Sequence, residues 1–161
     1  MLATKITELL DAHRVPYRVL PHTEPVFTVE AAAAQRGVVL AEMVKSILLR
    51  DKDRRYVMAC LRGPDRLDTQ AVRACLPTEW KRLTFASAAE IKAVTGYVQG
   101  AVAPLCLPDT VPVIFDEAIA GCAQVNISSG DPLAGLELAT EDLARLAGAR
   151  YGQIAKVAPP A

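Results

Sequence analysis

Lys45 stands inside an apolar run, Val44-Lys45-Ser46-Ile47-Leu48-Leu49, where a charge is out of place. A charge that interrupts an apolar strand either serves a ligand or reaches past its neighbours to solvent. Period-two alternation puts Lys45 on the face of Ile47 and Leu49, so either that face is partly buried or the lysine sits at the strand's solvated start; a snorkelling lysine is the competing reading. In Thr95-Gly96-Tyr97-Val98-Gln99-Gly100-Ala101-Val102-Ala103-Pro104, Gly96, Gly100 and Pro104 recur every fourth residue. Gly100 and Ala101 let a backbone come close to a ligand and Pro104 fixes one φ angle, although an ordinary turn or bulge uses the same residues. A third stretch, Asn126-Ile127-Ser128-Ser129-Gly130-Asp131-Pro132, runs from a strand into a polar turn. Its side chains and free amides can orient a small polar substrate, or simply close a turn.

Other chemistries find less support. His13 and His22 fall in the first helix and an early loop, away from acid-base company, which disfavours a serine–histidine–aspartate mechanism. Cys60, Cys75, Cys106 and Cys122 form no C-x-x-C pair, and with two histidines elsewhere they predict no zinc site. In Met58-Ala59-Cys60-Leu61 the cysteine reads as a small buried hydrophobe. Lys plus Arg equals Asp plus Glu at 18 each, so no global positive field advertises a nucleic acid, and any RNA contact must be local.

The elements that must position these residues can be read in order. Leu2, Ile6, Leu9 and Leu10 recur at helical spacing up to Arg14-Val15-Pro16, where the proline ends the pattern. Tyr17 to Leu20 reads as a strand, and Thr28 as the cap of a helix through the alanines to Gly37. Val44 to Arg50 and Tyr56 to Leu61 predict an antiparallel hairpin around Asp51-Lys52-Asp53-Arg54-Arg55. Asp68 caps a helix through Cys75, Arg82 to Phe85 is a short strand, and Ser87 with Glu90 fits a capping box for a helix ending near Gly96. Val111 to Asp116, Gln124 to Ser128 and Leu136 to Leu138 are further strands, before a last helix from Thr140-Glu141-Asp142 to near Gly148. The tail, 158 to 161, should fray.

With 161 residues, 52 % of them hydrophobic and 22 % charged, the chain reads as one ordered α+β domain, residues 1–161, with a mixed, curved sheet surrounded by helices. Residues 2 to 13 are amphipathic and carry Lys5, Glu8 and Asp11, unlike a signal peptide, and no apolar run is long enough to span a membrane. A cytoplasmic protein with no membrane partner is expected.

Taken in order, the motifs resemble the YbaK family, which includes the editing domain of bacterial prolyl-tRNA synthetases and its free-standing relatives. The resemblance rests on Phe27-Thr28-Val29-Glu30-Ala31-Ala32 at a helix start and Lys45-Ser46-Ile47-Leu48-Leu49 at a strand head. It also rests on the loop of Gly96, Gly100 and Pro104, and on Ser128-Ser129-Gly130 before a closing strand and helix. It implies a YbaK-like fold and a deacylase that cleaves the ester between a small, wrong amino acid and the terminal ribose of a tRNA, mostly tRNA for proline. The implied partners are the acceptor end of an aminoacylated tRNA and, as a second candidate, prolyl-tRNA synthetase; no cofactor or metal is implied. Lys45 and Gly100 are the implied catalytic residues. Phe27, Thr28, Ser46, Gly96, Pro104, Ser128, Ser129, Gly130 and Asp131 are the implied substrate-binding set, with a positioned water or the substrate's own side chain as the attacking group.

Departures from the family pattern bear on specificity. Asp131-Pro132 replaces the histidine-proline of the alanine-specific branch, while Ala101 and Pro104-Leu105-Cys106 replace a second glycine and a Pro-Leu-Gly usual in the branch that Thr95-Gly96-Tyr97 resembles. Cysteine, alanine and serine all stay open as the edited residue. Two other readings share these residues: a non-catalytic tRNA- or synthetase-binding module, and a hydrolase of free esters.

Overall fold

Capping residues set most helix boundaries in the computed structural model, which describes residues 2–156. The expected frayed tail lies outside the described residues. Thr4 caps α1 (Lys5–Ala12), Thr28 caps α2 (Val29–Arg36), Asp68 caps α3 (Thr69–Ala74) and Ser87 caps α4 (Ala88–Thr95) through a capping box with Glu90. Gly37 and Gly96 end α2 and α4 with φ of 67° and 78°, the left-handed conformation that stops a helix without steric penalty. The last helix, α5 (Thr140–Ala147), begins and ends where expected but has no side-chain cap. Thr140 lies inside its first turn, and Ala139 precedes it without a side-chain cap.

Eight strands are described: β1 (Tyr17–Pro21), β2 (Val44–Arg50), β3 (Tyr56–Arg62), β4 (Thr84–Phe85), β5 (Val113–Asp116), β6 (Gln124–Ser128), β7 (Ala134–Ala139) and β8 (Arg150–Gly152). The predicted hairpin is β2–β3, antiparallel with Lys45 opposite Leu61. β4 and β5 are shorter than their apolar runs suggested and β7 is longer. β8 carries no hydrophobic alternation and owes its existence to parallel pairing with β5.

The fold is mixed α+β, as expected, but its strands form two sheets rather than one. β1-β7-β6 is an antiparallel three-stranded sheet, and β4-β2-β3-β5-β8 is a mixed five-stranded one. A parallel bridge between Met43 and Asn126 joins them where β2 begins. The largest core cluster fills the space between the sheets and draws on both, with Leu48 and Phe115 from one and Ile127 and Leu136 from the other. A second cluster, with Leu49, Val57, Ile114 and Trp80, covers the opposite face of the five-stranded sheet. β3 is therefore covered on both faces and reads as an unbroken apolar run.

Candidate functional site

The seam between the sheets opens into a cavity of about 170 Å³ lined by Phe27, Thr28, Val29, Ala32, Arg36, Met43, Val44, Lys45, Ser46, Gly100, Val102 and Ser128. All four segments singled out in the sequence reach it. The start of α2 supplies Phe27 and Thr28, the head of β2 supplies Lys45 and Ser46, the glycine loop supplies Gly100, and the end of β6 supplies Ser128. Phe27 is 56 % exposed and stands at the rim, whereas Met43 and Ala32 are buried on the inner side.

Lys45 Nζ donates to the backbone oxygen of Asp65, which fixes the ammonium beside the cavity. Burial pulls its pKa below the usual lysine range, and the charges of Glu30 and Asp65 oppose that shift. Behind Ser46, the thiol of the fully buried Cys60 points at the serine Oγ at 3.6 Å. Burial pushes the Cys60 pKa up to about 12, so it stays a neutral thiol, as the sequence suggested.

Gly100 has φ +89°, and a Cβ added there would come within 2.8 Å of Phe27 O and 2.9 Å of Phe27 Cβ. The close approach expected at this glycine is thus made by the Phe27 segment, which the glycine loop holds in place at the rim.

Five of the expected site residues stand outside the cavity wall. Gly96 ends α4 beside Lys5, whose ammonium caps Thr95 O at 2.7 Å. Pro104 is buried in a different depression, with Leu9 and Leu146. Ser129 is fully buried, donating from Oγ to Ala134 O at 2.7 Å and accepting from Asp131 N at 3.2 Å. Asp131 Oδ1 accepts from Leu133 N at 2.9 Å, and Gly130 supplies a φ of +91°. The last three build the β6–β7 turn, which presents Ser128 to the cavity without their touching it.

Arg36 and His22 went unrecognised in the sequence. Arg36, at the end of α2, donates from Nε to His22 Nε2 at 3.1 Å and from Nη1 to Met43 Sδ at 3.8 Å. His22 Nδ1 lies 2.9 Å from Pro132 O, which can only accept, so the imidazole carries its proton on Nδ1 and leaves Nε2 free to accept from Arg36. A Cβ added to Gly135 would fall on the guanidinium, so this glycine makes the room that Arg36 occupies. Burial pulls the Arg36 pKa down to about 10, which leaves it charged at neutral pH. Nothing local marks either residue, because a basic residue in a helix's last turn ordinarily complements the helix dipole.

The charged groups lining the cavity, Lys45 and Arg36, are both cations. Such a cavity suits a phosphate, a carboxylate or a developing oxyanion. Among the described residues no group of three His, Cys, Asp or Glu side chains is placed to hold a metal ion.

Comparison with known proteins gives concordant matches. Residues 23–146 match the family profile described as the aminoacyl-tRNA editing domain. A proline–tRNA ligase of Bacillus licheniformis is 32 % identical over 109 residues, 68 % of this chain but 18 % of that ligase, so the similarity spans under a fifth of the larger protein. An Enterococcus faecalis protein with the provisional name Cys-tRNA(Pro)/Cys-tRNA(Cys) deacylase EbsC is 21 % identical over 94 % of this chain and 92 % of its own length. A solved structure provisionally described as a trans-editing enzyme for prolyl-tRNA synthetase superposes with a TM-score of 0.79 at 21 % identity, covering 98 % of this chain and 100 % of its own, and shares the fold.

Proposed function

The chain belongs to the aminoacyl-tRNA editing domain family, and on that premise we propose that it is a trans-editing deacylase hydrolysing the ester of a mischarged tRNA. The proposed substrate is tRNA for proline carrying a small amino acid, met at its acceptor end. Prolyl-tRNA synthetase is the candidate protein partner, residues 1–161 act as one editing unit, and the setting is the cytoplasm. Among the described residues no helix is long and apolar enough to cross a membrane.

The observation that carries this reading is a small cavity with Lys45, Arg36 and Ser46 on its wall and an exposed aromatic ring at its rim. Phe27 offers a face on which a terminal base can stack. Lys45 then meets the phosphate or the ester carbonyl, and Gly100, which holds Phe27 in place, sets where the nucleoside rests. An aminoacyl ester is already activated, so positioning and stabilisation of the developing oxyanion supply most of what hydrolysis needs. Water is the simplest nucleophile, and a substrate thiol or hydroxyl is the alternative.

The test is a panel of aminoacyl-tRNAs incubated with the protein and scored for release of free amino acid, with and without chelator. Release from a subset of tRNAs, unaffected by chelator, supports the reading. Binding of tRNA without release identifies a non-catalytic module, and cleavage of free aminoacyl esters in preference to aminoacyl-tRNA identifies a hydrolase of small molecules.

A further inference from the structure

Building on the deacylase reading above, we infer that Arg36 is a specificity-determining residue whose guanidinium selects an aminoacyl group with an oxygen acceptor on its side chain, hydroxyl or carboxylate, over one whose side chain is hydrocarbon alone.

The placement of Arg36 is built from several elements at once. His22 and Pro132 orient the Nε edge, Met43 meets Nη1, and Gly135 on β7 leaves the space in which the guanidinium lies. Lys45 approaches from β2 in the other sheet and is tied to Asp65 O. The two cations thus reach the cavity from different elements, Arg36 from the end of α2 and Lys45 from the head of β2. The exposed ring of Phe27 at the rim is the surface on which a terminal nucleoside can stack. The aminoacyl end is the part that enters, and on the inner side it meets Arg36 with the buried Met43 and Ala32.

A guanidinium has five N–H donors. One is committed to His22 and one to the weak sulfur acceptor of Met43. The other three meet no hydrogen-bond acceptor, and no carboxylate lies within 4.0 Å of the group, among the described residues. Water can serve those donors while the cavity is open. A bound methyl side chain displaces that water and leaves them unpaired, whereas a side-chain oxygen replaces it. A site built to hydrogen-bond its substrate discriminates strongly against an analogue lacking the partner.

The experiment charges one tRNA transcript separately with serine, aspartate and alanine and compares kcat/KM for the wild type, Arg36→Leu and Gly135→Ala. The wild type should favour at least one oxygen-bearing substrate over alanine by about tenfold to a hundredfold, the range of a charge-assisted hydrogen bond. The better of seryl and aspartyl ester tells whether a hydroxyl or a carboxylate is read. Arg36→Leu should bring the ratio close to one, mainly by slowing the oxygen-bearing substrate. Gly135→Ala keeps the charge but displaces the guanidinium, and should lower the ratio in the same direction even if Arg36→Leu folds poorly. A wild type without preference, or a ratio unmoved in folded variants, overturns the inference and leaves deacylation standing. Release from none of the three by the wild type overturns the inference, and the wider panel of aminoacyl-tRNAs, cysteinyl-tRNA among them, then decides the deacylase reading separately.

Discussion

Folding works against the charge on Lys45. Burial lowers its pKa, so the folded state disfavours the ammonium relative to the unfolded chain; the penalty is present at neutral pH and is relieved as pH rises through the folded value. The contact with Asp65 O offsets part of it. Lys45→Ala removes both terms, and the stability of the variant should stay within about 1 kcal/mol of wild type. Deacylation should fall by about 10²–10³, as when one preorganised group is removed from an oxyanion site. Thermal melting and single-turnover hydrolysis on the same sample measure the two effects, and a folded variant with full turnover would remove Lys45 from the chemistry. Arg36 differs from Lys45 in where its effect should appear: in the ratio between substrates rather than in the rate on all of them.

Among the elements, the β2–β3 hairpin shows why a charged loop is more than a solvated connection. Asp51 is 1 % exposed. Its Oδ1 accepts from the amides of Asp53 and Arg55 at 2.9 Å each, and its Oδ2 from Arg55 Nε at 2.8 Å. Burial alone would raise its pKa, but these hydrogen bonds and the Arg55 charge together hold it below the usual carboxylate range. The folded value is therefore below the unfolded one, and the stabilisation is present above about pH 4 and lost as pH falls through the folded value. Asp51→Asn should destabilise the protein at pH 7 and lose that disadvantage on acidification, so urea midpoints of the two proteins converge toward pH 3. A constant gap across pH 7 to 3 would mean that the carboxylate's charge contributes nothing. The glycine loop makes a second prediction at this scale. Gly100→Ala forces a side chain into the left-handed region and against the Phe27 backbone, which should cost about 1–2 kcal/mol in strain and raise KM more than it lowers kcat. An unchanged KM in chemically denaturable, folded protein would separate the loop from substrate binding.

Across the whole molecule, the main cluster takes side chains from both sheets and from α1 and α5. Neither sheet keeps its inner face covered without the other. Unfolding should therefore be one cooperative transition. Trp80, in the cluster on the far face of the five-stranded sheet, reports on that side by fluorescence, and far-UV circular dichroism reports on the chain as a whole. Coincident denaturation curves are expected; an earlier fluorescence transition would show that α3 and its strand face form a separate unit.

Local chemistry wrote much of this into the sequence. Thr28, Asp68 and Ser87 cap helices where their side chains predict it, Gly37 and Gly96 end them, and the β2–β3 hairpin follows its alternation, because each of these depends on neighbours a few residues away. The motif order likewise pointed to the family and to four segments that now meet at one cavity. Tertiary structure decided what depends on partners distant in the chain. The division into two sheets and the existence of β8 rest on long-range pairing. Which polar residues face the cavity and which only shape a turn separates Ser128 from Ser129, adjacent residues whose side chains point opposite ways from an extended strand end. The place of Arg36 needs His22, Met43 and Gly135 together, from three stretches of chain. No local pattern encodes a coincidence of that kind, because the space left by a glycine on one strand and the arginine that fills it meet only once the chain has folded.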